Sequence, residues 1–395
     1  MKKSFLRLLL ISLFASYGFT AGAQESSFVS YTEPEIMLGK IVKTNSFFPE
    51  TNFQKRYLIN FGRIHTDSTS WAGFFSYPAS GFSLAFSKLG NDTVFGNAYG
   101  ILKYIEFRPG RKLANSLNFQ IALGASYFDL PYHSEYNPLN KALGSHINWS
   151  FRLFAYYNFH TRRRLIFRLG GGYLHSSNGH VRLPNFGLNS GAMSFSVLFV
   201  GKSPELPAAL PKTSPDKTKN FTAELRQGFG FHALGGTSGP PDSPVKAVYT
   251  SELSAGIIFR QYLKFYGGFS YRHYAHFSDY FSTTQVGKGF EFPYNGNLYF
   301  FLGLELLMGN VSMDMNAGLT IFKPFYRDFD NLYQNSKPLD YTLKYLFPTR
   351  LGLKYYLLKT QYHPKNNFYF GAAINANFGE ADFTEFSLGF VRTFR

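Results

Sequence analysis

A histidine and a serine, His175 and Ser177, stand one residue apart at the edge of a polar cluster, and an asparagine, Asn189, lies beyond it. Residues i and i+2 of a β-strand project from one face with β-carbons roughly 7 Å apart, so the imidazole reaches the hydroxyl. That places a nucleophile beside a base. The stretch 165–200 reads as two strands joined by a polar loop, because alternating side chains flank a run of Ser, Asn, Gly and Pro. In the first strand Leu165, Phe167, Leu169, Gly171, Tyr173, His175 and Ser177 share one face, and Arg168, Gly170, Gly172, Ser176 and Asn178 share the other. In the second, Asn189 has the parity of Met193, Phe195, Val197 and Phe199. Three polar groups thus sit on an apolar face. The Asn189 carbonyl can take the second ring N–H of His175 and fix its tautomer, as the third member of a triad does. The plainer reading is that Ser-Asn-Gly is a turn signal and that a rim His or Ser only meets water.

The elements that must carry these residues follow from composition. The chain of 395 residues opens with Met1-Lys2-Lys3, an apolar run from Leu8 to Phe14 and Ala21-Gly22-Ala23, the pattern of an export signal over residues 1–23. Its removal takes Lys2, Lys3 and Arg7 and lowers the formal charge from +16 to +13. No later segment has the ~20 consecutive apolar residues of a membrane helix, so a membrane location requires a barrel. Phe and Tyr are abundant, 46 and 28 residues, while mean hydropathy is slightly negative. Apolar lipid-facing positions alternating with polar lumen positions, plus interfacial aromatic girdles, give that balance. With no Cys, a thiolate nucleophile and a Cys-bound metal are excluded. A basic, exported, Phe-rich chain without a basic helix is not a nucleic-acid binder; its charge suits a surface of phosphorylated glycolipid.

Alternation predicts strands at 56–65, 82–88, 97–107, 115–128 and 145–157, the two strands of the 165–200 hairpin, then 221–232, 249–260, 263–273, 296–307, 311–322, 351–358, 367–378 and 383–394. A short strand at 35–42 and the segment 69–77 are ambiguous. The expectation is an all-β, transmembrane antiparallel outer-membrane barrel of about 14–16 strands, since single-chain bacterial barrels favour even numbers. Residues 24–395 are expected to form one barrel domain, with 201–220, rich in Lys and Pro, as a long turn inside it. With the C-terminus periplasmic, the short connections fall inside and the long ones outside, 201–220 being the exception. The count places His175 and Ser177 at the outer end of their strand.

The string His175-Ser176-Ser177-Asn178-Gly179, followed by Leu183-Pro184-Asn185-Phe186-Gly187-Leu188-Asn189, resembles the outer-membrane lipid A deacylases of the PagL type, also known as acyloxyacyl hydrolases. Asn189 stands where those enzymes have Glu. The segment 140–148 resembles the larger members of that group, and the deacylase-like half is about 54–200, with additional barrel strands over 220–395. Outer-membrane phospholipase A is similar in its own His-x-Ser-Asn-Gly string and Asn third member, matched at His175, Ser177, Asn178, Gly179 and Asn189. The resemblance implies a serine ester hydrolase in the bacterial outer membrane that removes an acyl chain from lipid A in the outer leaflet. It implies no cofactor and no metal, calcium entering only with the phospholipase alternative. The amide of Asn178 and the backbone N–H groups of Gly179 and His180 are the candidate oxyanion donors, with backbone preferred because Asn178 has lumen parity. Arg182 and His180 are placed to meet a lipid phosphate, and Tyr173, Phe186, Leu183 and Met193 to line an acyl groove, against the plainer role of interfacial anchors. A non-enzymatic, porin-like channel is the alternative from another class, since Arg152, Glu224, Arg226 and Asp314 point to a polar lumen.

Overall fold

Period-two burial runs through nearly every element of the computed structural model, which describes residues 28–67, 71–109, 116–162, 164–201, 218–277 and 294–394; the expected signal at 1–23 lies outside them. The strands are β1 (Phe28–Ile41), β2 (Gln54–His65), β3 (Ala79–Lys88), β4 (Asn97–Phe107), β5 (Ser116–Phe128), β6 (Ile147–Arg162), β7 (Leu165–Ser177), β8 (Leu188–Val200), β9 (Lys219–Ala233), β10 (Val245–Phe259), β11 (Leu263–Tyr274), β12 (Gly296–Met308), β13 (Val311–Phe322), β14 (Pro348–Tyr356), β15 (Asn366–Asn377) and β16 (Glu380–Phe394). The all-β antiparallel barrel architecture stands. Sixteen strands are described, the upper end of the expected range, because the doubtful segment near residue 35 is a full strand, β1. Segment 69–77 holds instead a short helix, α1 (Trp71–Phe74).

Closure differs from expectation. The strands form two barrels of eight rather than one of 14–16: β1 pairs with β8, and β9 pairs with β16. Alternation reports which face of a strand is wet but not which strand ends a sheet, so a single barrel over 24–395 and a pair are identical in pattern. The Lys- and Pro-rich stretch read as a long turn joins the barrels, and its residues 202–217 lie outside those described. This accounts for the one connection that departed from the expected pattern of short and long loops.

Eight strands leave an interior that side chains can fill. In the first barrel Arg168 pairs with Glu33 at 3.0 Å and Glu106 at 2.8 Å, and Arg152 donates to Ser83 at 3.0 Å and Gln120 at 2.5 Å, all buried. The Tyr156 hydroxyl donates to Glu35 at 2.8 Å. In the second, Lys354 bridges Glu224 at 3.0 Å and Glu305 at 3.1 Å, Lys264 binds Glu224, Arg226 binds Glu252 and Glu385, and Arg350 meets Asp314 at 2.5 Å. Arg152, Glu224, Arg226 and Asp314, the residues that suggested a channel, are thus bound up in the filling. An apolar cluster with Phe48, Phe95, Leu143 and Leu188 closes the end of the first barrel where β7 finishes, and one with Tyr274, Phe325, Phe329 and Phe383 closes the end of the second where β11 finishes. Outward positions carry Leu169, Phe195, Leu253 and Leu302, all exposed, as a lipid-facing wall requires.

Candidate functional site

Because β7 and β8 pair antiparallel with His175 opposite Asn189, the three polar residues picked out by spacing meet on one face. His175 Nε2 lies 3.1 Å from Ser177 Oγ, and His175 Nδ1 lies 2.7 Å from Asn189 Oδ1. With Nδ1–H donating to the Asn189 carbonyl, Nε2 keeps its lone pair and accepts the serine proton, the tautomer following from the network. The face is the outer one. Tyr173, two residues before His175, is 42% exposed, whereas Leu174 and Ser176, of opposite parity, are buried toward the lumen. Ser177 itself is only 4% exposed, at the C-terminal end of β7.

Two neighbours complete the arrangement. The Tyr173 hydroxyl donates to the same Asn189 Oδ1 at 2.5 Å, so one carbonyl oxygen takes two donors, and its amide orientation is fixed between them. Gly187, in the Pro-Asn-x-Gly string, has φ +75°, and a β-carbon there would stand 2.8 Å from His175 Cε1. Only glycine allows both that backbone conformation and the close approach of chain to ring. The 140–144 segment supports this turn: Lys141 and Ala142 carbonyls accept from the N–H groups of Phe186 at 3.2 Å and Gly187 at 2.9 Å. A β-carbon at Gly144 would crowd the Arg182 and Pro184 carbonyls at 2.7 Å. Segments resembling known enzymes at 140–148 and 183–189 are therefore one packed unit.

The loop 178–186 distributes the remaining candidates. Asn178 accepts from Val181 N–H at 3.1 Å and donates to the Arg182 carbonyl at 2.7 Å, so its side chain builds the loop. Asn185 Oδ1 accepts the Asn178 N–H at 3.1 Å. Gly179 and His180 follow one another in the left-handed region, φ +64° and +68°, and neither N–H has an acceptor among the described residues. The His180 ring is buried, not displayed to a lipid phosphate: it stacks on His232 of the second barrel at 5.0 Å and meets the Gly235 carbonyl at 3.0 Å. Burial pushes its pKa below the ordinary histidine value. Arg182 is half exposed and pairs with Asp242 at 3.5 Å. Phe186 is half-buried beside Gly187.

Contacts with the second barrel were invisible in the sequence. The Ala233 N–H donates to the His180 carbonyl at 2.9 Å, the Asn185 N–H donates to the Thr237 carbonyl at 2.9 Å, and Trp149 Nε1 donates to Thr384 Oγ1 at 3.0 Å. Trp149 is the β6 residue opposite Ser177. The loop beyond the serine is thus pinned by residues far away in the chain, and no spacing rule reaches them. Among the described residues no three His, Cys, Asp or Glu side chains gather as a metal-ligand set.

Residues 60–197 match the family model described as "Lipid A 3-O-deacylase (PagL)", a span that runs from β2 to β8. Among solved structures, "Crystal structure of the outer membrane enzyme PagL" is similar with a TM-score of 0.31 and 12% identity, covering 42% of this chain and 97% of that one. An outer membrane channel from Pseudomonas putida F1 is similar with a TM-score of 0.20 and 9% identity, over 95% of this chain and 100% of that one. Pseudomonas putida OprB has a TM-score of 0.17 and 8% identity, over 93% and 94%. No curated protein matches the chain. The chain is an outer-membrane β-barrel protein of bacteria.

Proposed function

We propose that the protein is an outer-membrane serine esterase that removes an ester-linked acyl chain from lipid A. The observation that carries this reading is the relay Ser177–His175–Asn189, at 3.1 and 2.7 Å, on the lipid-facing wall at the outer rim. The family match over residues 60–197 supports the substrate class, and the relay lies within it.

Ser177 Oγ attacks the ester carbonyl while His175 Nε2 takes its proton, then returns it to the departing sugar oxygen; water releases the acyl-enzyme by the same relay in reverse. Asn189 holds the ring and Tyr173 holds Asn189. The free N–H groups of Gly179 and His180 are the oxyanion donors of this reading, each contributing ~3 kcal/mol when aimed at the developing charge. Asn178 supports them by shaping the loop. Arg182, at the rim, is the candidate for a lipid phosphate once it leaves Asp242. A diacylated lipid diffuses laterally to a wall-mounted site without leaving the bilayer, and this chemistry requires no cofactor.

Purified, refolded protein is expected to release fatty acid from lipid A, with Ser177→Ala lowering the rate by at least about 10³-fold. Mass spectrometry of lipid A against phospholipid turnover, with and without calcium, separates this from a phospholipase. Undiminished hydrolysis by the Ser177→Ala variant would remove the assignment.

A further inference from the structure

Between the two barrels lies a cleft of about 430 Å³, within the usual range of ligand sites. Its walls are the outward, hydrocarbon-facing sides of both cylinders: Ile121, Leu123 and Phe151 from β5 and β6 on one side, and Met313, Leu351 and Leu353 from β13 and β14 on the other. Its lower end reaches the periplasmic rim, where Trp71 of α1 and the 308–311 turn face each other. The barrels touch above it through Trp149 and Thr384, and below it through Phe74 and Tyr262, whose rings are 5.4 Å apart. The cleft is thus a gap held open between two contacts.

Two cations line it, Lys103 on the outward face of β4 and Lys359 just past β14. Among the described residues neither makes an ion pair or hydrogen bond. A lysine on the outer wall of a barrel opposes insertion unless something supplies a counter-charge. Asp67 also faces the cleft, where it interacts electrostatically with His65 of the same lining.

We propose that this cleft binds one phospholipid of the inner leaflet, its phosphodiester between Lys103 and Lys359 and an acyl chain rising between the apolar walls toward Phe151. The polarity runs the right way: Lys359 and an interfacial Trp lie at the periplasmic rim, Lys103 stands four residues in from the Phe107 end of β4, and hydrocarbon lies above. A lipid entering from the outer leaflet would bring its headgroup to the end that carries no cation. The bound lipid is then a filler of the inter-barrel interface whose upper end, at Phe151, borders His175 across the β6–β7 ladder.

The test uses the full-length protein in detergent, delipidated, then titrated with phosphatidylglycerol or phosphatidylethanolamine and observed by native mass spectrometry. One phospholipid is expected to remain on the wild type. Lys103→Glu combined with Lys359→Glu should weaken retention by tenfold or more, and Leu353→Trp or Leu123→Trp, which fill the cleft from opposite walls, should abolish it. Heat-modifiable mobility on gels reports whether each variant keeps its barrels, and the two tryptophan variants stand in for one another. A wild type that retains no phospholipid, or equal retention by folded charge-reversed and cleft-filled variants, overturns the proposal. So does a cleft-filled variant that loses ester hydrolysis while keeping its phospholipid, since the gap would then serve the substrate's chain.

Discussion

At the residue scale, the substitution of interest is the asparagine in the third position of the relay. Asn189 orients His175 through a neutral carbonyl and so offers less stabilisation to an imidazolium than a carboxylate would. The Tyr173 hydroxyl on the same oxygen compensates in geometry but not in charge. Asn189→Ala is expected to lower the hydrolysis rate about 10²–10⁴-fold, the range for a general base that has lost its alignment. Asn189→Glu is expected to raise it above the wild type. Rates measured on refolded protein check both, and an Asn189→Ala enzyme at full speed would show that the ring needs no third partner. Gly187→Ala should cost activity while leaving the barrel intact, since its β-carbon meets the imidazole edge at 2.8 Å. The relay itself was legible in the sequence, because strand parity and antiparallel pairing are local rules. Tyr173 was visible as an outward aromatic but not as a hydrogen-bond donor, because its reach depends on the rotamer and not on spacing.

At the element scale, most strands could be read to within a few residues, and 97–107 and 311–322 coincide with β4 and β13. The exception, β1, has Glu33, Pro34 and Glu35 at its centre, which look like a break. Both carboxylates face the lumen, where Arg168 and Asn60 meet them, and the β1–β8 ladder skips residues 33 and 34, where proline has no N–H to donate. The loop 178–186 escaped a sequence reading for a different reason, because its partners are on β9, β16 and the 234–242 connection. His180 ties it there. Burial holds its pKa below the unfolded value near 6.5 against the opposing pull of Asp382, the Gly235 carbonyl and Glu380, with His232 stacked on the ring. The unfolded or undocked ring therefore takes a proton first. The stabilisation is present above the ordinary histidine pKa and is lost as pH falls through the buried ring's own value. Acidification below about pH 6.5 should loosen the loop, seen as a change in Trp149 emission that His180→Gln abolishes. An identical pH response in that variant would assign the change to another group.

At the scale of the whole molecule, the two interiors bear on the channel reading. Planar bilayers containing the refolded protein are expected to show no steady open conductance, because charged side chains occupy each bore in pairs. Arg168→Leu would leave Glu33 and Glu106 buried without their cation, a loss of about 3–5 kcal/mol. Urea titration followed by gel mobility measures it, and adding Glu33→Gln and Glu106→Gln to the same protein should restore most of the loss. That the strands divide into eight and eight was beyond the sequence, since both halves alternate alike and closure is a choice of hydrogen-bonding partner. The Lys- and Pro-rich connection was the sole local hint. Its position after β8 has a consequence for biogenesis: a polypeptide with two seams, β1 to β8 and β9 to β16, must be zipped shut twice. Each cylinder closes on its own pair of strands, and the surface that docks the second against the first is complete only once both are shut.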